Sequence, residues 1–103
     1  MTERTWSIVR KIFPEGLQNE AARLLELECG TNLPLLQDAD DVQLERLRFA
    51  ILKLSGGTLE GLSEAIRIAK SDWRDTLMGT GFGQSVTAHE RWADKVLNQP
   101  DNR

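Results

Sequence analysis

Apolar residues along this chain recur at intervals of three and four, and strict alternation of polar and apolar positions is absent. That spacing predicts amphipathic helices rather than strands. Thr5 to Phe13, with Trp6, Ile8, Val9, Ile12 and Phe13 apolar, reads as a short first helix. Phe13 precedes Pro14 and should break continuity, because the residue before proline avoids the helical region. Pro14 then suits a first helical turn, where its missing N–H costs nothing. Leu17, Ala21, Leu24 and Leu25 share one face after it, which predicts a helix near 14–29 ended at Cys29-Gly30. Thr31 to Ala39 reads as a loop in which Leu33, Leu35 and Leu36 tuck onto the core around Pro34.

Asp38, Asp40 and Asp41 place carboxylates at the start of the next helix, where free N–H groups favour negative charge. Leu44, Leu47, Ile51 and Leu54, supported by Ala50, follow at helical spacing up to Ser55-Gly56-Gly57. Thr58 is an N-cap candidate for a long segment whose stripe is Leu59, Leu62, Ile66, Ala69, Trp73 and Leu77. Gly79-Thr80-Gly81-Phe82-Gly83 ends it. Ser85 or Thr87 caps a last helix, and Thr87 with Glu90 matches a capping box. Val86, His89, Ala93 and Val96 form its inner face with Trp92 beside them. The pattern therefore predicts an all-α fold, a small bundle of four to five short helices, with one domain over 1–98 and a frayed polar tail over 99–103.

Composition narrows the picture. At 103 residues, 40% apolar and 28% charged, the chain is long enough for a single modest core and ordinary for a globular domain. The one cysteine rules out an internal disulfide and fits a reducing compartment. No stretch reads as a membrane span. Met1 to Trp6 carries no apolar signal core, so the expected location is cytoplasmic and no membrane partner is expected. The net charge of −3 arises in the first half, chiefly between Glu15 and Glu45, where only Arg23 is basic. An acidic domain repels a polyanion at long range, so nucleic acid is not an expected partner.

Two stretches carry a resemblance. The pattern L-x-R-L-R-x-A-I-L-K-L-S-G-G-x-L runs from Leu44 to Leu59, and A-K-S-D-W-R-D-x-L-M from Ala69 to Met78, followed by G-F-G and by H-E-R-W at His89 to Trp92. Over about half of the chain this resembles a group of small uncharacterised bacterial helical proteins that share a K-x-D-W-R-D-x-L segment. The resemblance implies no activity, cofactor or partner; it marks Lys70, Asp72, Trp73, Arg74 and Asp75 as a defining feature.

The densest constellation is Lys70-Ser71-Asp72-Trp73-Arg74-Asp75. Read as a recognition face, it offers Trp73 and Arg74, residue types enriched at interface hot spots. Read as scaffold, it sends Trp73 into the core, where the stripe places it, while Asp72, Arg74 and Asp75 pair with neighbouring helices. His89, the only histidine, has the chemistry of a general base or a metal ligand; no second histidine exists, and the expected reading is a packed ring next to Trp92. Cys29 at a helix C-terminus lies where the dipole disfavours a thiolate, which predicts an inert, partly buried thiol. The Asp38–Asp41 run lacks the central glycine and the distal glutamate of a calcium loop. Gly79, Gly81 and Gly83 follow a helix, not a strand, and no lysine comes after, so a phosphate loop is not expected.

No catalytic set, metal site or cofactor is expected. The first functional reading is a non-enzymatic helical module acting through protein–protein interaction, in an accessory or inhibitory role, with a foreign protein or a second copy of itself as partner. Its candidate binding residues are Asp72, Trp73, Arg74, Asp75, His89 and Trp92, with Trp6 or Trp92 as an exposed aromatic anchor. The alternative is a helix-turn-helix-like DNA-associated regulator. It would be built on the turn at Ser55-Gly56-Gly57 and use Arg67, Lys70 and Arg74, though Glu60, Gly61 and Glu64 occupy the start of the would-be reading helix. A small enzyme using His89 ranks third.

Overall fold

The computed structural model describes residues 1–29, 40–84 and 87–99. Helix α1 spans Glu3–Ile12, and the Thr2 hydroxyl caps it by accepting the Thr5 N–H at 3.2 Å. Glu3 in its first turn and Arg10 and Lys11 in its last match the helix dipole. Phe13 is extended, as the following proline requires. Pro14 does not open the next helix. Its ψ of 150° leads into a short 3₁₀ turn, Glu15–Leu17, and α2 begins only at Gln18 and runs to Glu28. The amide side chain of Gln18 donates to the carbonyls of Arg10 and Phe13, so the corner between α1 and α2 is tied across the proline. Cys29 closes α2 in a non-left-handed conformation, with its N–H donating to the Leu25 carbonyl. The expected roles of Gly30, the Leu33–Leu36 loop, Asp38, Ser85, Val86 and the last four residues of the tail lie outside the described residues.

Helix α3, Asp41–Ser55, starts on a capping box: the Asp40 carboxylate accepts the Gln43 N–H at 2.8 Å, and the Gln43 side chain accepts the Asp40 N–H. Gly56 ends it in the left-handed region. Helix α4, Leu59–Thr80, is capped by Thr58, whose hydroxyl accepts the Gly61 N–H at 3.0 Å. Gly81 closes it with φ 83°. A second 3₁₀ turn, Phe82–Gln84, leads to α5, Ala88–Leu97. The capping box expected at Thr87 is not formed: Thr87 already has near-helical angles (φ −114°, ψ −4°), and its side chain makes no cap bond.

Helix α3 is the hub. It packs most extensively on α4 and also touches α1 and α5, while α2 lies against α1 and α4. Being covered from several directions, it buries Leu47, Phe49, Ala50, Ile51 and Leu52, whereas Leu54, expected inside, is 44% exposed. The single-stripe reading failed here because a helix with neighbours on two sides has no single inner face. The five helices among the described residues enclose one core built from Ile8, Val9, Phe13, Leu25, Leu47, Phe49, Ile51, Leu52, Leu62 and Ile66 with smaller residues between them. Among the described residues no helix is long and apolar enough to cross a membrane.

The turn between α3 and α4 depends on backbone proximity. Gly57 has φ 82°, and a Cβ there would lie 2.6 Å from the Ile12 carbonyl oxygen, which brings the end of α1 against this corner. Gly61 sits in the first turn of α4, where a Cβ would collide with the Ser55 carbonyl oxygen and lie 2.9 Å from the Thr58 hydroxyl. In an ordinary helix, replacing glycine by alanine stabilises by about 1 kcal/mol. Here the sign should reverse. Gly61→Ala is expected to lower unfolding free energy by about 1–3 kcal/mol, the usual cost of overpacking, as read from urea midpoints. A gain in stability would show that the close approach of the two helices is not formed.

Candidate functional site

Helix α4 is not one continuous cylinder. Asp72 has φ −158° and ψ 98°, an extended conformation that divides the helix into Leu59–Ser71 and Trp73–Thr80. The Asp72 carboxylate accepts the Arg74 N–H at 3.0 Å, the geometry of an N-cap at the start of a new helix. Beyond the break the buried positions are Thr76, Leu77 and Thr80. Trp73, placed by the stripe in the core, is half-buried at the core's edge. Its indole lies under the Arg74 guanidinium, 5.8 Å from ring centroid to Cζ.

Trp73 and Arg74 form one wall of a groove of about 420 Å³, whose other lining residues are Arg46, Leu77, Met78 and Gly83. A smaller hollow of about 120 Å³, lined by Gln43, Arg46, Leu47, Trp73 and Leu77, shares three of those residues and extends the groove along α3. Met78 is 57% exposed. The Arg46 guanidinium donates through Nε (2.9 Å) and Nη2 to the Phe82 carbonyl and so fixes the turn that carries Gly83. The Arg74 guanidinium donates no hydrogen bond among the described residues; its nearest carboxylate is Asp72, 3.9 Å from Nε. Asp75 is exposed and does not line the groove.

His89 and Trp92 lie elsewhere, in an aromatic cluster under the same turn. The His89 ring is 5.7 Å from Phe49 and 6.4 Å from Phe82, and Trp92 is 6.1 Å and 5.9 Å from the same two rings. Phe82 in turn carries the Lys53 ammonium 5.2 Å over its face, while Lys53 donates to the Thr80 carbonyl at 3.1 Å. The six candidate residues thus fall into two groups: Asp72 to Asp75 at and beside the groove, His89 and Trp92 behind it. What lies between them is the Arg46–Phe82 link. Arg46 and Met78 were missed as site residues. Arg46 falls within a helical charge pattern indistinguishable from a solvated face, and Met78 sits next to a glycine-rich helix end.

The chemistry of the remaining candidates is muted. Cys29 is buried, and burial pushes its thiol pKa up to about 12 against the opposing effect of Arg48, whose Nε donates to the Cys29 carbonyl. A thiol so placed stays protonated and non-nucleophilic at neutral pH. His89 is fully buried, and neither ring nitrogen has a hydrogen-bond partner. Burial lowers its pKa; Glu90 and Glu45 oppose that shift and Arg46 and Arg4 add to it. No cluster of three or more metal-ligating side chains occurs among the described residues. Arg67 pairs with Glu64 and Lys70 with Glu28, so two of the three cations considered for DNA contact are engaged by carboxylates. No family model, curated protein or solved structure matches the chain.

His89 makes stability depend on acid. The folded protein disfavours the imidazolium, whereas the unfolded chain takes the proton at the ordinary value of 6.5. The unfolded state therefore binds more protons below that pH, so stability is full above about pH 6.5 and falls as the pH drops towards the lowered folded value. Unfolding by urea between pH 7.5 and pH 5 should show this loss, and His89→Phe, which keeps a ring among the other rings, should flatten it. An unchanged pH slope in the variant would mean that the imidazole is hydrated or partnered.

Proposed function

We propose that this protein is a non-enzymatic interaction module of the cytoplasm that holds a protein partner in the groove between α3 and the second segment of α4, in an accessory or inhibitory role. The observation that carries this reading is the placement of Trp73, Arg74 and Met78 together around an open apolar groove. A tryptophan, an arginine and a methionine are the types that anchor or adapt to partners. Leu77 and Trp73 give the groove an apolar floor that a partner's side chain would cover.

The competing readings find less support. Catalysis by His89 requires access to its ring, and the ring is sealed behind Phe49 and Phe82. DNA reading through α4 requires base or phosphate contacts near its start, where Glu60 and Glu64 are exposed.

The test is a paired capture with the full chain as bait, in wild-type form and as Met78→Glu. Met78 is exposed, so the change should leave the melting temperature within a few degrees while placing a charge on the groove's rim. A protein retained by the wild type and lost from the variant is the expected outcome. Identical capture by both baits would move the interaction, if any, away from the groove.

A further inference from the structure

The groove's lining is one-sided in charge. The chain carries a net −3, yet the described lining residues include two guanidinium groups and no carboxylate. Five surface cations elsewhere are answered by a carboxylate within the fold, while Arg91 and Lys95 on α5 are exposed with no ion pair among the described residues. Arg67 is held by Glu64, Arg23 by Glu20, Arg10 by Glu3, Arg4 by Asp94 and Lys70 by Glu28. The hollow between α2 and α4, lined by Leu24, Ser63 and Ile66 with Glu28, Arg67 and Lys70, is neutralised in this way. Arg74 differs. Its side chain is 65% exposed, its ion pair with Asp72 is the longest among the described residues at 3.9 Å, and its guanidinium lies over the Trp73 ring without donating a hydrogen bond among those residues.

We infer that the occupant of the groove is an acidic peptide segment with one apolar anchor: a carboxylate of the partner binds Arg74, and a leucine or aromatic side chain enters between Trp73, Leu77 and Met78. This rests on the interaction-module reading above and specifies its partner. A guanidinium stacked on an indole presents its in-plane N–H groups edge-on, which suits bidentate contact with a carboxylate. The stacking also fixes much of the side chain's freedom before binding, which lowers the ordering cost of the contact. Arg46, tied to the Phe82 carbonyl, adds positive potential at the far side without having to move. A basic peptide would meet both guanidinium groups as like charges. A wholly apolar one would leave Arg74 covered and without an acceptor, a cost no contact here offsets.

The test is a random twelve-residue peptide library displayed on phage, selected on the folded full chain, with the enriched peptides then mapped by NMR on the Trp73 indole and the Met78 methyl. The inference expects Asp- or Glu-rich peptides with an aromatic or leucine anchor that shift both signals. Their affinity should weaken with salt and fall about tenfold in Arg74→Glu, the scale of one lost charge pair at an interface. Arg74→Glu leaves the core untouched, and its circular-dichroism melt checks that it folds. Enriched peptides that map to the groove but are neutral or basic would overturn the acidic occupant and leave the docking reading standing. Peptides that map elsewhere, or no enrichment at all, would overturn both.

Discussion

A helix that must change direction loses backbone hydrogen bonds at the point of change, and everything distinctive about this surface follows from where the chain does so. Asp72 takes an extended conformation in the middle of α4, and its carboxylate accepts the Arg74 N–H that the break exposes. Had the helix run straight, its apolar stripe would have carried Trp73 into the core with Ala69 and Leu77. With the restart, Trp73 becomes the first residue of a new segment and stays at the core's edge. The groove is therefore a consequence of a backbone event more than of any side chain's character.

The groove's opposite wall is fixed by different physics. The Phe82 turn is packed by His89 and Trp92, which rest on Phe49 in turn, and is held by Arg46. Its position is thus fixed by packing and by two charge-assisted hydrogen bonds from Arg46 to the Phe82 carbonyl. A neutral imidazole fills part of that cluster at a cost: two buried ring nitrogens without partners. The rings around His89 explain why that cost is borne as a lowered basicity instead of a rearranged structure. Burial among them disfavours the imidazolium, and the pKa of His89 falls below its ordinary value.

What the sequence made legible was local chemistry. Asp40, Thr58, Gly56 and Gly81 act as the caps and stops that their residue types announce, because a capping bond involves only a few neighbouring residues. Phe13 is extended because Pro14 follows it. What stayed hidden depended on distant parts of the chain. The burial of Phe49 and Leu52 arises because α3 is covered by α1 and α5, from the two ends of the chain, as well as by α4, and Leu54 is left on the face that none of them covers. Thr87 carries the right neighbours for a capping box, but its own backbone has near-helical angles and its side chain makes no cap bond. The break at Asp72 lies between these cases. Asp72 with Asp75 three residues on fits a helix start, but the apolar stripe from Leu59 to Leu77 continues through it and predicts one helix. The scaffold reading of the Lys70–Asp75 cluster expected Trp73 in the core and Asp72, Arg74 and Asp75 paired to neighbouring helices; Trp73 is instead half-buried, Arg74 pairs with Asp72 of its own helix, and it is Lys70 that ties α4 to α2 through Glu28.

The account stands or falls on the geometry at one residue. Carbon chemical shifts of the backbone from Leu59 to Thr80, measured on the full chain in solution, report that geometry directly. The account expects helical Cα and Cβ shifts on both sides of Asp72 and extended-type shifts at Asp72 itself, with the Trp73 indole in contact with Arg46 and Leu77. Uninterrupted helical shifts through Asp72, with the indole showing contacts only to the core, would contradict it and remove the groove.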